Sequence, residues 1–181
     1  MSAPPPPRYL GAHVKRLEDP RLLAGQGRFL DDITLPGLLH AAFVRSTHAH
    51  AIIRAVDAEA ARRVPGVVLA LTGRDLEGEV APLVPRLEAP GFAPTAWPAL
   101  AAERARFVGE PVAVVAARSP YAAVDGAAAV EVDYDPLPAV ADVAAAVAPG
   151  SPRLHPGRPS NVLFEGSDRR GDVEAPSRPR P

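Results

Sequence analysis

Proline limits most strongly what this chain can fold into. It occurs 23 times in 181 residues. Each proline fixes φ and removes a backbone donor, so helices and central strands must fit between them. Pro4, Pro5, Pro6 and Pro7 make a polyproline leader, which predicts a disordered segment over residues 1–10. Toward the other end Pro149, Pro152, Pro156, Pro159, Pro176, Pro179 and Pro181 recur with little apolar periodicity between them. That pattern predicts an extended arm and disordered tail over residues 149–181. A third cluster, Pro82, Pro85, Pro90, Pro94 and Pro98, makes residues 77–100 a long surface loop. The folded domain must then be built from the rest of residues 11–148.

Within that span the apolar runs are short and bounded by turn residues. Leu38 to Arg45 follows the turn pair Pro36-Gly37 and predicts a strand. Ala51 to Val56 predicts a second, with β-branched Ile52, Ile53 and Val56. Asp57 is placed to cap a short helix through Val64, which Pro65-Gly66 stops before a strand over Val67 to Thr72. Val112 to Ala117 is apolar throughout, the pattern of a strand buried on both faces. Ser119-Pro120 then reads as an N-cap with proline at the first helical position, opening a helix to about Ala129. Gly126 interrupts that helix at a cost of about 1 kcal/mol relative to Ala. Val130 to Tyr134 is a further strand, and Asp142 caps a last helix through Val147. Interleaved short strands and helices give an α+β (mixed α/β) domain.

Charge and composition remove several function classes. Twenty Lys and Arg against 21 Asp and Glu give a net charge of -1, without the basic footprint of a nucleic-acid binder. Cysteine is absent, which removes disulfides, cysteine-bound zinc and iron–sulfur ligation from this chain. No apolar run approaches the length of a membrane span, and the start lacks the plan of a signal peptide, so a cytoplasmic protein is expected. Aromatic residues are 5% of the chain, so Ala, Val and Leu must form most of the core.

Few residues offer chemistry. His48 and His50 stand at i and i+2, which in a strand would put both rings on one face as two ligands of a divalent ion. A third ligand is not evident, a lone His-x-His pair is a weak metal pattern, and hydrogen bonding after a turn to backbone or a partner surface accounts better for the pair. Glu18-Asp19 and Asp31-Asp32 are adjacent carboxylates, suited to capping and to ion pairs with Arg16, Arg21 or Arg28 rather than to a shared proton. Glu131, Asp133 and Asp135 alternate with Val130, Val132 and Tyr134, the pattern of a solvated strand face. Gly25-Gln26-Gly27 lacks the strand, third glycine and helix of a dinucleotide fingerprint. No catalytic, cofactor-binding or established metal motif is visible.

Taken in order, these segments resemble one family. The stretches carrying the likeness are Arg16-Leu17-Glu18-Asp19, Gly25-Gln26-Gly27 with Phe29-Leu30-Asp31-Asp32, and Phe43-Val44-Arg45-Ser46-Thr47-His48-Ala49-His50-Ala51. Thr72-Gly73-Arg74-Asp75-Leu76, Phe107-Val108-Gly109-Glu110-Pro111-Val112-Ala113 and Val130-Glu131-Val132-Asp133-Tyr134-Asp135-Pro136 continue it, and Asn161-Val162 and Gly171-Asp172-Val173-Glu174 complete it. They resemble the N-terminal α/β hammerhead domain of molybdenum hydroxylase large subunits, the xanthine dehydrogenase, aldehyde oxidase and aerobic carbon monoxide dehydrogenase family. Thr47 stands where that family usually has proline.

The resemblance implies a parent oxidoreductase in which later domains of the large subunit hold molybdopterin, the molybdenum cofactor. Iron–sulfur and FAD groups sit on partner subunits or domains. It implies no catalytic or cofactor-binding residue in this chain, and a non-catalytic structural and assembly role. Where the family runs on into its molybdopterin-binding domains, this sequence gives Pro176-Ser177-Arg178-Pro179-Arg180-Pro181, so a chain truncated or split before those domains is expected. The expected partners are those remaining domains and the iron–sulfur and FAD subunits, with no nucleic acid and no membrane span. Phe92 and Trp97 in the proline-rich loop, with Glu110, are the expected partner interface. Two other readings stay open: a free-standing interaction module with the hammerhead surface, and a metal-binding protein using His48 and His50.

Overall fold

The computed structural model describes Tyr9, Gly11, residues 13–168, Arg170 and Gly171. The polyproline leader, apart from Tyr9, and the Pro176–Pro181 tail lie outside the described residues. Chain proximity separates the described residues through Leu38 from those starting at Leu39.

In the first unit, a short helix α1 (Asp19–Leu23) begins at Glu18-Asp19-Pro20, with proline in its first turn. Arg16 pairs with Asp19 at 2.9 Å and Arg21 with Glu18 at 2.7 Å. Asp32 accepts a hydrogen bond from the Phe29 amide at 2.9 Å, closing a single 3-10 turn over Leu30–Asp32. The adjacent carboxylates here therefore serve turns and exposed ion pairs. Helix α1 has no apolar period to announce it in sequence; the charged pairs at i, i+3 hold its one turn.

Among its described residues the second unit contains six strands: β1 (His40–Arg45), β2 (Ala51–Asp57), β3 (Val67–Thr72), β4 (Arg104–Ala105), β5 (Pro111–Ala117) and β6 (Glu131–Pro136). They form two antiparallel three-stranded sheets, ordered β1-β5-β3 and β4-β2-β6. The chain crosses from one sheet to the other at every successive strand. Between them run α2 (Glu59–Arg62), α3 (Pro120–Ala128) and, after β6, α4 (Val143–Val147). No helix among the described residues is long and apolar enough to cross a membrane. The mixed α+β class read from the sequence is the observed one.

Several local signals act as the sequence suggests. Ser119 Oγ accepts from the Ala122 amide at 3.1 Å with Pro120 at the first helical position, and Asp142 Oδ2 accepts from the Ala145 amide at 2.8 Å. Three boundaries differ. Strand β1 starts at His40 rather than Leu38, because its partner β5 ends opposite His40 at Ala117. Asp57 does not stand at the cap of α2, since it is still paired with Glu131 in the sheet; its carboxylate reaches only the Glu59 amide, at 2.8 Å. Strand β4 was not anticipated, its two residues being too few for any periodicity. Residues 77–100 hold no helix or strand, but Leu83 and Trp97 exchange backbone hydrogen bonds at 2.8 and 2.9 Å and draw the loop into a hairpin-like shape.

The core is built from small side chains. Among the described residues nine of the thirteen buried hydrophobic ones are alanine, and Val112 and Val115 are the largest fully buried side chains. One cluster joins Ala58, Ala61, Ala70 and Val115 under α2 and α3; the other joins Ile53, Ala101 and Val112, with Tyr134 and Val132 packed against it. A small-residue core requires close approach of backbones, and Gly126 provides it. A Cβ there would meet Val115 Cγ1 and Val67 Cγ2 at 2.8 Å. The glycine that weakens α3 intrinsically thus lets α3 settle on the β1-β5-β3 sheet. Gly126→Ala should gain helix propensity of up to about 1 kcal/mol but lose about 1–3 kcal/mol to overpacking. A net loss of about 1 kcal/mol is expected in urea unfolding, whereas a stabilised variant would show that α3 is not held by that contact.

Candidate functional site

Four segments converge beside strand β5: the Ser46–His50 turn, the β4–β5 turn, the proline-rich loop and the arm after α4. The β4–β5 turn is set by its own backbone. Glu110 N–H donates to Phe107 O at 3.2 Å, and Gly109, with φ of 93°, supplies the left-handed residue that the turn needs. Gly109 N–H donates to Ser46 O and Ser46 N–H to Glu110 O, both at 2.8 Å, so the two turns are tied together. Arg45 adds a bond from its guanidinium to Gly109 O at 2.9 Å.

Glu110 is therefore not the surface group expected of an interface. Its side chain is turned inward and only 7% exposed. One carboxylate oxygen accepts from the Arg106 amide, and the other lies 3.6 Å from the Arg106 guanidinium. Those two contacts fix the turn before β5.

The histidine pair also differs from the strand arrangement that a shared metal would need. Strand β1 ends at Arg45, and Ser46 Oγ shapes the following turn, accepting from the His48 amide at 3.1 Å and donating to the His48 carbonyl at 2.9 Å. His50 is 5% exposed, with both ring nitrogens engaged: Nε2 accepts from Arg104 at 2.9 Å, so Nδ1 donates to Pro138 O at 2.8 Å. That ring locks β2 to the segment after β6. His48 Nδ1 meets Thr47 Oγ1 at 3.1 Å, and its ring lies 4.7 Å from the Tyr134 ring. Among the described residues no three His, Cys, Asp or Glu side chains gather as a metal-ligand group. The Tyr134 hydroxyl is buried without a hydrogen-bond partner in the structure. Burial is the largest cause raising its pKa, and the Glu110 carboxylate adds to the rise.

The proline-rich loop and the arm hold each other. Arg158 donates to Ala93 O and, at 2.6 Å, to Pro94 O; Ala93 N–H donates to Leu163 O at 3.1 Å. Phe92 is half-buried edge-on against Phe164, with ring centroids 6.2 Å apart. Trp97 is 56% exposed, its indole N–H donating to Thr95 Oγ1 at 3.0 Å. Between loop, turn and arm lies a mainly apolar cavity of about 290 Å³, walled by Trp97, Pro98, Phe107, Leu154 and Leu163, with Glu110, Arg106 and His155 at its polar edge. The order of the arm had no sequence signal, because it depends on carbonyls about 65 residues away rather than on any local period.

Two glycine turns stand out as candidate phosphate cradles for a molybdenum cofactor, and neither fits one. The Gly109 and Glu110 amides are spent on Ser46 O and Phe107 O, and the Gly25 and Gln26 amides on Leu22 O and Arg21 O. None of these glycine turns can offer its amides to a phosphate. The site can present an apolar wall to a partner, and its titratable groups hold the turns in place.

Two measurements test this geometry. Burial, and then the Arg106 and Arg158 guanidiniums, lower the pKa of His155, so the docked arm favours the neutral ring. That contribution is fully present above about pH 6.5, the ordinary histidine value, and is lost as pH falls from there through the lowered pKa. Trp97, the only tryptophan, shares the cavity with His155, so its emission should shift to the red between pH 7.5 and 5.5. The shift should vanish in His155→Gln, and an identical shift in that variant would contradict the assignment. Glu110→Ala strands the Arg106 amide and should cost about 1–3 kcal/mol in urea unfolding. Glu110→Gln keeps an acceptor and should recover most of that loss; equal stability of all three chains would show that the carboxylate does not hold the turn.

Comparison with known proteins places this geometry. Residues 24–138 match the family model described as "Aldehyde oxidase and xanthine dehydrogenase, a/b hammerhead domain". The nicotine 6-hydroxylase large subunit of Paenarthrobacter nicotinovorans is 41% identical over 165 residues, 91% of this chain and 20% of the relative. The structure of quinoline 2-oxidoreductase from Pseudomonas putida 86 superposes with a TM-score of 0.78 at 42% identity, covering 83% of this chain and 19% of that one. A Cu,Mo-CO dehydrogenase structure gives a TM-score of 0.67 at 40% identity, covering 78% and 17%. The chain spans about a fifth of the length of these relatives. With its two small sheets, crossing connections and matched motifs, it belongs to the aldehyde oxidase and xanthine dehydrogenase family, as the a/b hammerhead domain.

Proposed function

We propose that this chain is a non-catalytic assembly domain of a molybdenum hydroxylase large subunit. The observation that carries the reading is that Glu110, His50 and the glycine-turn amides are all engaged in holding the fold. Glu110 fixes a turn, His50 locks two segments together, and the turn amides are taken by backbone carbonyls. The parent activity in this reading is oxidation of the xanthine, aldehyde or carbon monoxide type. Molybdopterin is held by the remaining domains of the large subunit, and iron–sulfur and FAD groups by partner subunits, in the cytoplasm. Trp97 and the loop–arm cavity belong to the docking surface, while Glu110 supports that surface from beneath.

Purified chain, free of other subunits, should contain no molybdenum by elemental analysis. It should reduce no dye with purines, aldehydes or carbon monoxide. Stoichiometric molybdenum, or substrate-dependent dye reduction that copurifies with this chain alone, would overturn the proposal.

A further inference from the structure

Strand β3 lies at one edge of the β1-β5-β3 sheet. Its residues, Val67, Val68, Leu69, Ala70, Leu71 and Thr72, include no charge, proline or glycine, and Val68 and Leu69 are half exposed. A six-residue segment of this kind on a free edge is a template for pairing with another chain. The opposite edge strand, β1, ends on His40 and Arg45; β3 has no such group of its own. Register shows which of its peptide groups face outward. Gly73 N–H donates to Val112 O at 3.2 Å, so Thr72 and, two residues back, Ala70 turn their backbone groups away from β5. Side chains take up both edges of the peptide run between them. Arg62 of α2 donates to Ala70 O at 3.2 Å. Asp75 Oδ2 accepts from Thr72 N–H at 2.7 Å and from Thr72 Oγ1 at 2.8 Å. The Arg62 guanidinium lies 4.0 Å from that oxygen, and Glu59 holds it from the helix side. The Thr72 amide and hydroxyl keep the Asp75 carboxyl below the usual carboxylate range, so it is an acceptor at neutral pH. At the other end of β3 a register shift between Val67 and Leu69 puts a bulge at Val68.

We infer that Arg62 and Asp75 close the β3 edge against pairing with a second copy of this chain. An incoming strand must offer a donor to Ala70 O and an acceptor to Thr72 N–H, which are adjacent along the edge. Arg62 supplies the donor and Asp75 the acceptor, so their side chains stand where the peptide groups of a fourth strand would stand. The bulge at Val68 covers the remaining length by twisting the strand just before these contacts begin. A second copy is the occupant because every copy carries the same uncharged strand, and an antiparallel contact about a two-fold axis joins like edges. With either side chain removed, the freed peptide group is left to water or to another β3, and the apolar side chains beside it favour the strand.

Sedimentation of the isolated chain over a concentration series at neutral pH is the test. Asp75→Ala should self-associate at concentrations at least about tenfold below wild type, and Arg62→Ala should move in the same direction. Asp75→Asn keeps an acceptor for the Thr72 amide and should stay close to wild type. Adding Val68→Lys to Asp75→Ala puts a charge on the half-exposed bulge and should restore wild-type behaviour. Adding Phe43→Ser, at an exposed position of β1, should not. Urea unfolding reports which variants are folded; if Asp75→Ala is not, Arg62→Ala, on the exposed side of α2, reads the same edge. Folded Asp75→Ala and Arg62→Ala chains that associate no more than wild type overturn the inference. Association that Phe43→Ser abolishes and Val68→Lys leaves intact overturns it too, since the contact would then lie on the face of the sheet.

Discussion

Strand β5 is the constraint on which the second unit depends. It is the middle strand of the β1-β5-β3 sheet, and its two largest fully buried side chains face different partners. Val115 anchors the cluster beneath α2 and α3, while Val112 anchors the cluster shared with Ile53 of the second sheet. With alanine filling most of the remaining core, neither cluster can tolerate a gap between its backbones. The close seat of α3 at Gly126 and the rigid turn at Glu110 both follow from this. Each brings chain to β5, one from above its middle and the other at its entry.

The same constraint explains why groups that look reactive in the sequence have structural roles. A turn entering a buried strand must satisfy its amides, and here Glu110, Ser46 and Gly109 do so among themselves. His50 is buried where the second sheet meets the segment after β6, and it satisfies Pro138 O and Arg104 at once. What is left for partners is apolar: Trp97 and its cavity. In the assembly role proposed above, such a domain contributes surface and rigidity.

Legibility in the sequence followed the range of the forces involved. The Val112 to Ala117 run, the Ser119-Pro120 start of α3 and the Asp142 cap were readable because neighbouring residues determine them. The inward turn of Glu110 was not readable, since it depends on the backbone of the β4–β5 turn that its carboxylate reaches. The two-residue strand β4, the hairpin-like pairing of Leu83 with Trp97 and the docking of the arm through Arg158 were not, because each depends on partners distant in sequence. The histidine pair could not be resolved from its spacing, because i, i+2 carries geometric meaning only inside a strand, and β1 ends at Arg45, which leaves the turn-side hydrogen bonding that the sequence also offered.

Native-state hydrogen exchange on the isolated chain tests the central claim most directly, that this is a self-sufficient domain organised around β5. The amides of Val114, Val115 and Ala116 should exchange only through global unfolding, with an opening free energy equal to that from urea denaturation. The Ala93 amide, which holds the arm, should open at lower cost. Exchange of the β5 amides through local opening, faster than that of the arm, would contradict the account.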